Sequence, residues 1–218
     1  MDLAKPALDV GLYTNQLEQM LAFWKPYAAY DELLKLGGGA HQHRHKIGDS
    51  ILKINHARIP TPQGMPTGLS ALSVYTDSVA PGLYLDPDDN QLKVHSSEGD
   101  RNLSLNITCS DVGRSAEFYG QSMGLPGATD HHFNVGASSI ILSEGSVGDF
   151  KRAGIGFRYM TVQVFDVVAT HAEILAKGGR EGMAPTKLGD VAFISFVLDP
   201  DGNWIEISQR KSLTGSLD

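Results

Sequence analysis

The sequence predicts an α+β protein in which strand–helix–strand units recur and close around a small-molecule cleft. Three observations carry that prediction. Residues 9–24 (DVGLYTNQLEQMLAFW) and 104–119 (SLNITCSDVGRSAEFY) share one design: an alternating strand, a polar corner, and an amphipathic helix ending on paired aromatics, Phe23-Trp24 and Phe118-Tyr119. Residues 85–94 (LDPDDNQLKV) and 198–207 (LDPDGNWIEI) are two copies of a Pro-Asp turn feeding a strand. Ile47-Gly48 and Val135-Gly136 each precede a further strand.

The offsets between copies locate an asymmetry. The first pair is separated by 95 residues (9 to 104) and the turn pair by 113 (85 to 198), so the second half holds 18 more residues. In order, the chain reads as strand 8–13, helix 15–36 with Asn15 as its N-cap, strand 40–47 and strand 50–56. A Pro/Gly-rich crossing at 60–68 leads to strands 69–76 and 91–96, and a polar stretch at 96–102 joins the halves. Strand 103–109 follows, then helix 111–123 capped by Ser110 or Asp111, and strands 130–135, 138–143 and 157–164. Helix 167–177, closed by Gly178-Gly179, and strands 191–198 and 203–208 complete the chain. Helix 167–177 has no counterpart after the strand 69–76, which accounts for the offset. The division predicted is a first half over 1–97, with a shortened second unit, and a second half over 98–218.

Composition narrows the function. Apolar residues at 41% and charged ones at 20% are those of an ordinary globular chain. A net charge of −7 with no basic stripe argues against a nucleic-acid partner. No apolar run is long enough to span a bilayer, and residues 1–12 lack a basic-then-apolar leader pattern. The lone cysteine, Cys109, sits in an alternating strand as a small core residue and fits a reducing compartment, so a cytoplasmic protein is expected.

Residues 199–206 (DPDGNWIE) and the two openings that end in Phe23-Trp24 and Phe118-Tyr119 resemble the vicinal oxygen chelate superfamily, which includes glyoxalase I, extradiol dioxygenases and bleomycin-resistance proteins. The resemblance implies four βαβββ modules, the second abbreviated, forming curved mixed sheets around a cleft. It also implies a divalent metal held by first-strand side chains and a last-strand glutamate. That glutamate falls on Glu206, while the first-strand positions fall on Ser104 and Tyr159, and on Asp9 and Ser70 in the first half, with Lys93 at the other glutamate position.

Strand alternation sorts the candidate cleft. Ser104 and Asn106, Tyr159 and Gln163, and Trp204 and Glu206 alternate with apolar residues and form a polar set, with Glu206 and Tyr159 as catalytic candidates and Ser104, Asn106, Gln163 and Trp204 as substrate contacts. His41, His43 and His45 occupy alternate positions of one strand, and imidazoles so spaced can grip a metal. His43, His45, Glu206 and Asp9 are therefore the expected ligands of one divalent metal, Zn, Fe, Mn or Ni. Arg44 and Lys53 read as exposed cations, with a second reading in which they meet a substrate carboxylate or enolate. Two functions stay open: a glyoxalase-type lyase or isomerase, or extradiol-type dioxygenase, acting on a small oxygenated compound; and a metal-free protein that sequesters a small ligand. A homodimer is compatible with either.

Overall fold

The computed structural model describes residues 1–97, 103–129, 131–148 and 152–217. Most of the polar link expected over 96–102, and Asp130 at the head of an expected strand, lie outside them. The elements run β1 (Leu3–Tyr13), α1 (Leu17–Trp24), β2 (Ala29–Lys35), β3 (His41–Ile47), β4 (Ser50–His56), β5 (Leu69–Tyr75), β6 (Gly82–Leu85) and β7 (Gln91–His95). They continue with β8 (Leu103–Cys109), α2 (Val112–Glu117), β9 (Gly127–Thr129), β10 (His132–Val135), β11 (Ser138–Glu144) and β12 (Gly156–Val164). Last come α3 (Val167–Ala176), β13 (Arg180–Leu188), β14 (Ala192–Leu198), β15 (Trp204–Arg210) and α4 (Lys211–Thr214).

Among the described residues the strands form two mixed, curved sheets. One has eight strands in the order β13-β14-β15-β12-β1-β4-β3-β2, the other seven in the order β6-β7-β5-β8-β11-β10-β9. The first and fourth units of the chain thus share one sheet, and the second and third share the other. Within each unit the first strand lies parallel to the last, as β1 pairs with β4 and β12 with β15. The expected asymmetry is present: α3 follows β12, while residues 76–81 after β5 hold no helix.

One contiguous core joins the sheets through their apolar faces. Leu8, Val10, Leu52 and Ile54 from the eight-stranded sheet meet Leu72, Val74, Leu105 and Ile107 from the other, with Trp24 of α1 and Ile174 of α3 packed among them. Each such side chain contributes roughly 1.5–3 kcal/mol by leaving water. The polar faces of both sheets are directed away from this core.

The helix expected over 15–36 is corrected. It ends at Trp24, because Pro26 has no N–H to continue it, and the following residues form β2, which pairs with β3 at the sheet edge. Helix formers such as Glu32, Leu33 and Leu34 are overridden there by strand pairing. Asn15 is no helix cap; its amide binds Thr61 instead, accepting from the backbone N–H and donating to the carbonyl. Asp111 does cap α2, accepting the Arg114 N–H at 2.9 Å. Residues 180–188 form the edge strand β13, although Gly182 and Pro185 lie within it, and two register shifts absorb the irregularity.

Candidate functional site

The central four strands of the eight-stranded sheet, β4, β1, β12 and β15, build a buried polar centre. Lys53 on β4 places its Nζ 2.9 Å from Glu206 Oε2 on β15 and 2.7 Å from Thr161 Oγ1 on β12. The Thr161 hydroxyl also donates to Glu206 Oε2 at 2.9 Å, so the three groups close a triangle. Lys53 is 2% exposed and Glu206 8%. Burial pushes the Lys53 ammonium below its ordinary pKa, and the carboxylates of Glu206 and Asp9 pull it back up.

Tyr159 lies beside this triangle. Its ring is 5.4 Å from the Lys53 ammonium, and its hydroxyl accepts from Asn55 Nδ2 at 3.2 Å and Gln42 Nε2 at 3.3 Å. Burial first, and then Glu206, raise the phenol pKa well above its usual value, so Tyr159 stays protonated. A glycine makes this placement possible: Tyr159 pairs with Gly11 across β12 and β1, and a Cβ at Gly11 would overlap the ring. Arg44 on β3 sits opposite Lys53 in register, is 6% exposed, and pairs with Glu32 at 3.0 Å.

Toward β14 the same face becomes aromatic. Tyr159, Phe196 and Trp204 follow one another with ring centroids 5.9 and 5.5 Å apart, and Tyr13 lies 6.4 Å from Tyr159. The Arg152 guanidinium sits 5.0 Å from the Phe196 ring and 5.5 Å from the Trp204 ring. The Trp204 indole N–H is buried and bonds to nothing among the described residues. Chemically the face offers an ammonium, a carboxylate and a hydroxyl at one end and flat apolar surface at the other.

The sequence-derived candidates divide. Glu206, Tyr159, Gln163, Trp204 and Asp9 share this face. Ser104 and Asn106 do not: they belong to the seven-stranded sheet, where Ser104 Oγ lies 2.7 Å from Ser139 Oγ and Asn106 Nδ2 donates to Ser73 Oγ at 3.1 Å. Grouping them with Glu206 is corrected by the topology, which pairs the first unit with the fourth. His43 and His45 are corrected by parity. Register sets them opposite Ile54 and Leu52, whose side chains enter the core, whereas Gln42 and Arg44 are set opposite Asn55 and Lys53. The histidine strand does flank the site, but it presents the residues between the histidines. Lys53 and Arg44, read as exposed, are buried. The hint was there: Lys53 lies between Leu52 and Ile54 and alternates with them onto the opposite face.

A divalent metal does not fit this donor set. Glu206 is engaged by an ammonium, and fully buried Asp9 is engaged by the Ile51 N–H at 2.8 Å, the Gln163 amide at 3.3 Å and the Lys5 ammonium. Among the described residues no three His, Cys, Asp or Glu side chains converge as a metal would require. The set expected from the sequence, His43, His45, Asp9 and Glu206, is split between two faces of one sheet.

Comparison with known proteins agrees with this architecture. Residues 103–207 match the family described as the Glyoxalase/Bleomycin resistance protein/Dioxygenase superfamily. A probable lactoylglutathione lyase from Vibrio cholerae is 28% identical over 134 residues, spanning 54% of this chain and 96% of that protein. The crystal structure of glyoxalase I from Zea mays superposes with a TM-score of 0.76 at 12% identity, covering 99% of this chain and 96% of that one. A putative dioxygenase from Bacillus subtilis superposes with a TM-score of 0.67 at 12% identity, covering 96% and 85%. At such identities the two structures share the fold alone. No helix among the described residues is long and apolar enough to cross a membrane. The pattern of the glyoxalase/bleomycin resistance protein/dioxygenase superfamily thus runs through residues 103–207, and nearly the whole chain shares its fold with glyoxalase I.

Proposed function

We propose that the polar face of the eight-stranded sheet binds a small, planar, oxygen-bearing organic compound, and does so without a divalent metal. The observation that carries this is Lys53, whose ammonium lies 2.9 Å from Glu206 and 2.7 Å from Thr161 at the centre of the face. Ligand oxygens would meet the Lys53 ammonium, and the ligand plane would lie against Trp204 and Phe196 under Arg152. Tyr159 and Gln163 shape the floor. Cys109 is free and buried, which suits a reducing compartment, and we place the chain in the cytoplasm. The halves 1–97 and 98–218 read as a duplication.

A lyase or isomerase reading rests on the same contact. A carboxylate and an ammonium side by side can remove a proton next to a carbonyl and hold the charge that develops on its oxygen. The relative named as a probable lactoylglutathione lyase supports this reading. Extradiol-type chemistry is not proposed, because the donor set does not fit a metal.

The test uses untagged protein. Metal content is measured before and after chelation, and a panel of aromatic oxo- and hydroxy-acids is screened by thermal shift against the wild type, Lys53→Gln and Trp204→Ala. Stabilisation that survives chelation and is lost in both variants supports the proposal. One equivalent of metal that Glu206→Gln removes would overturn it.

A further inference from the structure

The seven-stranded sheet has a polar face of its own, built on the same plan and carrying the opposite charge logic. In the eight-stranded sheet the first and last strands of each unit pair Gly11 with Lys53 and Thr161 with Glu206. In the seven-stranded sheet the equivalent strands pair Ser73 with Lys93 and Ser104 with Ser139. Where Lys53 is answered by Glu206, three strands away, Lys93 is answered by Ser139. No Asp or Glu occupies the alternating positions of β5, β7, β8 or β11 that share this face.

The floor consists of hydroxyls. Ser73, Ser104 and Ser139 are each at most 3% exposed. Ser104 Oγ lies 2.7 Å from Ser139 Oγ and 3.2 Å from Tyr75 Oη, and the Asn106 amide reaches Ser73 Oγ at 3.1 Å. On the same face, opposite Ser73 and two strands from Ser104, Lys93 is half-buried and makes no hydrogen bond or ion pair with the described residues. Hydroxyl hydrogens rotate to suit an acceptor, and an ammonium has three donors and no acceptor, so every group here is able to donate to an anion. In a chain of net charge −7, a face with a cation and no acid is a local exception.

We propose that this face is a second binding site, distinct from the Lys53–Glu206 centre, for a small oxyanion: a carboxylate or phosphate group held by Lys93 and the Ser104–Ser139 hydroxyl pair. It does not depend on the function proposed for the other sheet.

The test is a two-dimensional amide NMR titration of the full chain with inorganic phosphate and, separately, with benzoate at millimolar concentration. Saturable shifts at Ser73, Ser104 and Ser139 are expected for at least one anion. Saturation by phosphate alone assigns a phosphate site, and saturation by benzoate alone a carboxylate site. Lys93→Gln, a partly exposed change that keeps the folded spectrum, is expected to weaken binding about tenfold or more, and Ser139→Ala to weaken it in the same direction. No saturable shift with either anion, shifts confined to the eight-stranded sheet, or equal affinity in Lys93→Gln would overturn the proposal.

Discussion

Asn203 Oδ1 accepts a hydrogen bond from the Gly68 backbone N–H at 2.8 Å, tying the turn ahead of β15 in one sheet to the residue ahead of β5 in the other. The mirror-related turn does the same in reverse, for Asn90 Oδ1 accepts the Phe157 N–H of β12 at 3.2 Å. Each asparagine is itself held by the aspartate that opens its turn. Asp199 accepts from the Asp201 and Asn203 N–H groups at 3.0 and 2.8 Å, and Asp86 accepts from the Asp88 and Asn90 N–H groups, both at 3.0 Å. The paired LDPD turns therefore clasp the two sheets at two points, in addition to the apolar core that joins them.

Gly68→Ala is expected to strain that clasp. A Cβ at Gly68 would lie 2.7 Å from both Asn203 Nδ2 and the Thr108 carbonyl oxygen, and the latter, being backbone, cannot swing aside. A loss of about 1–3 kcal/mol in urea unfolding is expected. Asn203→Ala, which leaves the buried Gly68 N–H without its partner, should cost a similar amount. Stability within about 0.5 kcal/mol of wild type for both would show that the clasp is dispensable.

These turns were legible because their chemistry is local. Asp, Asn and Gly serve the turn within five residues, so two copies look alike in sequence. The offset of 18 residues was legible for the same reason, since it counts chain rather than contacts. The site was less legible because it depends on parity and pairing. The alternation of His41, His43 and His45 is real, but alternation alone does not say which of two faces meets the core; β4 decides that, by pairing Leu52 with His45 and Lys53 with Arg44. Ser104 and Tyr159 occupy equivalent positions in sequence, yet sheet topology sends them to different sheets. The strand β2 was hidden by residues that favour helix, and only Pro26 marked where the helix stops.

The buried pair is expected to show non-additive energetics. Lys53→Met removes one partner and leaves Glu206 charged in a largely closed environment, which should cost about 3–5 kcal/mol. Replacing both, as Lys53→Met with Glu206→Leu, removes the stranded charge and should recover most of that loss while abolishing ligand binding. A double-mutant cycle in urea measures the coupling. Simple additivity of the two single changes would show that the 2.9 Å contact is energetically idle.

Gly11→Ala should separate the site from the fold. The added methyl overlaps the Tyr159 ring, which must then leave Asn55 and Gln42. Destabilisation of about 1–3 kcal/mol is expected, with a larger fractional loss of ligand binding than Tyr159→Phe, which gives up the hydroxyl but keeps the ring in place. Equal binding in both variants would mean that the ring position does not matter to the ligand.

The histidines that miss the site still have a measurable consequence. Burial lowers the pKa of His43, helped by His41 and His56 nearby, and burial lowers that of His45, opposed by a hydrogen bond to the His43 backbone and helped by the His43 charge. A folded-state pKa below the unfolded value means that the unfolded chain binds more protons as pH falls, so stability rises with pH across the interval between the two values. Above about pH 7.5 both states are almost wholly unprotonated and the linkage contributes little. Below roughly 6.5, the unperturbed imidazole value, the unfolded state is increasingly favoured until the folded imidazoles also take up protons. Each full unit of depression would cost about 1.4 kcal/mol once both values are passed. Urea unfolding of the wild type between about pH 7.5 and about 5.5, one unit to either side of that imidazole value, should show this decline. His45→Gln should flatten it, because an amide in the same space does not titrate, and comparison with the variant subtracts the contributions of every other group. A decline of equal slope in wild type and His45→Gln would place the acid sensitivity elsewhere. The carboxyls of Asp86 and Asp199, which burial raises, act in the opposite sense and cannot supply it.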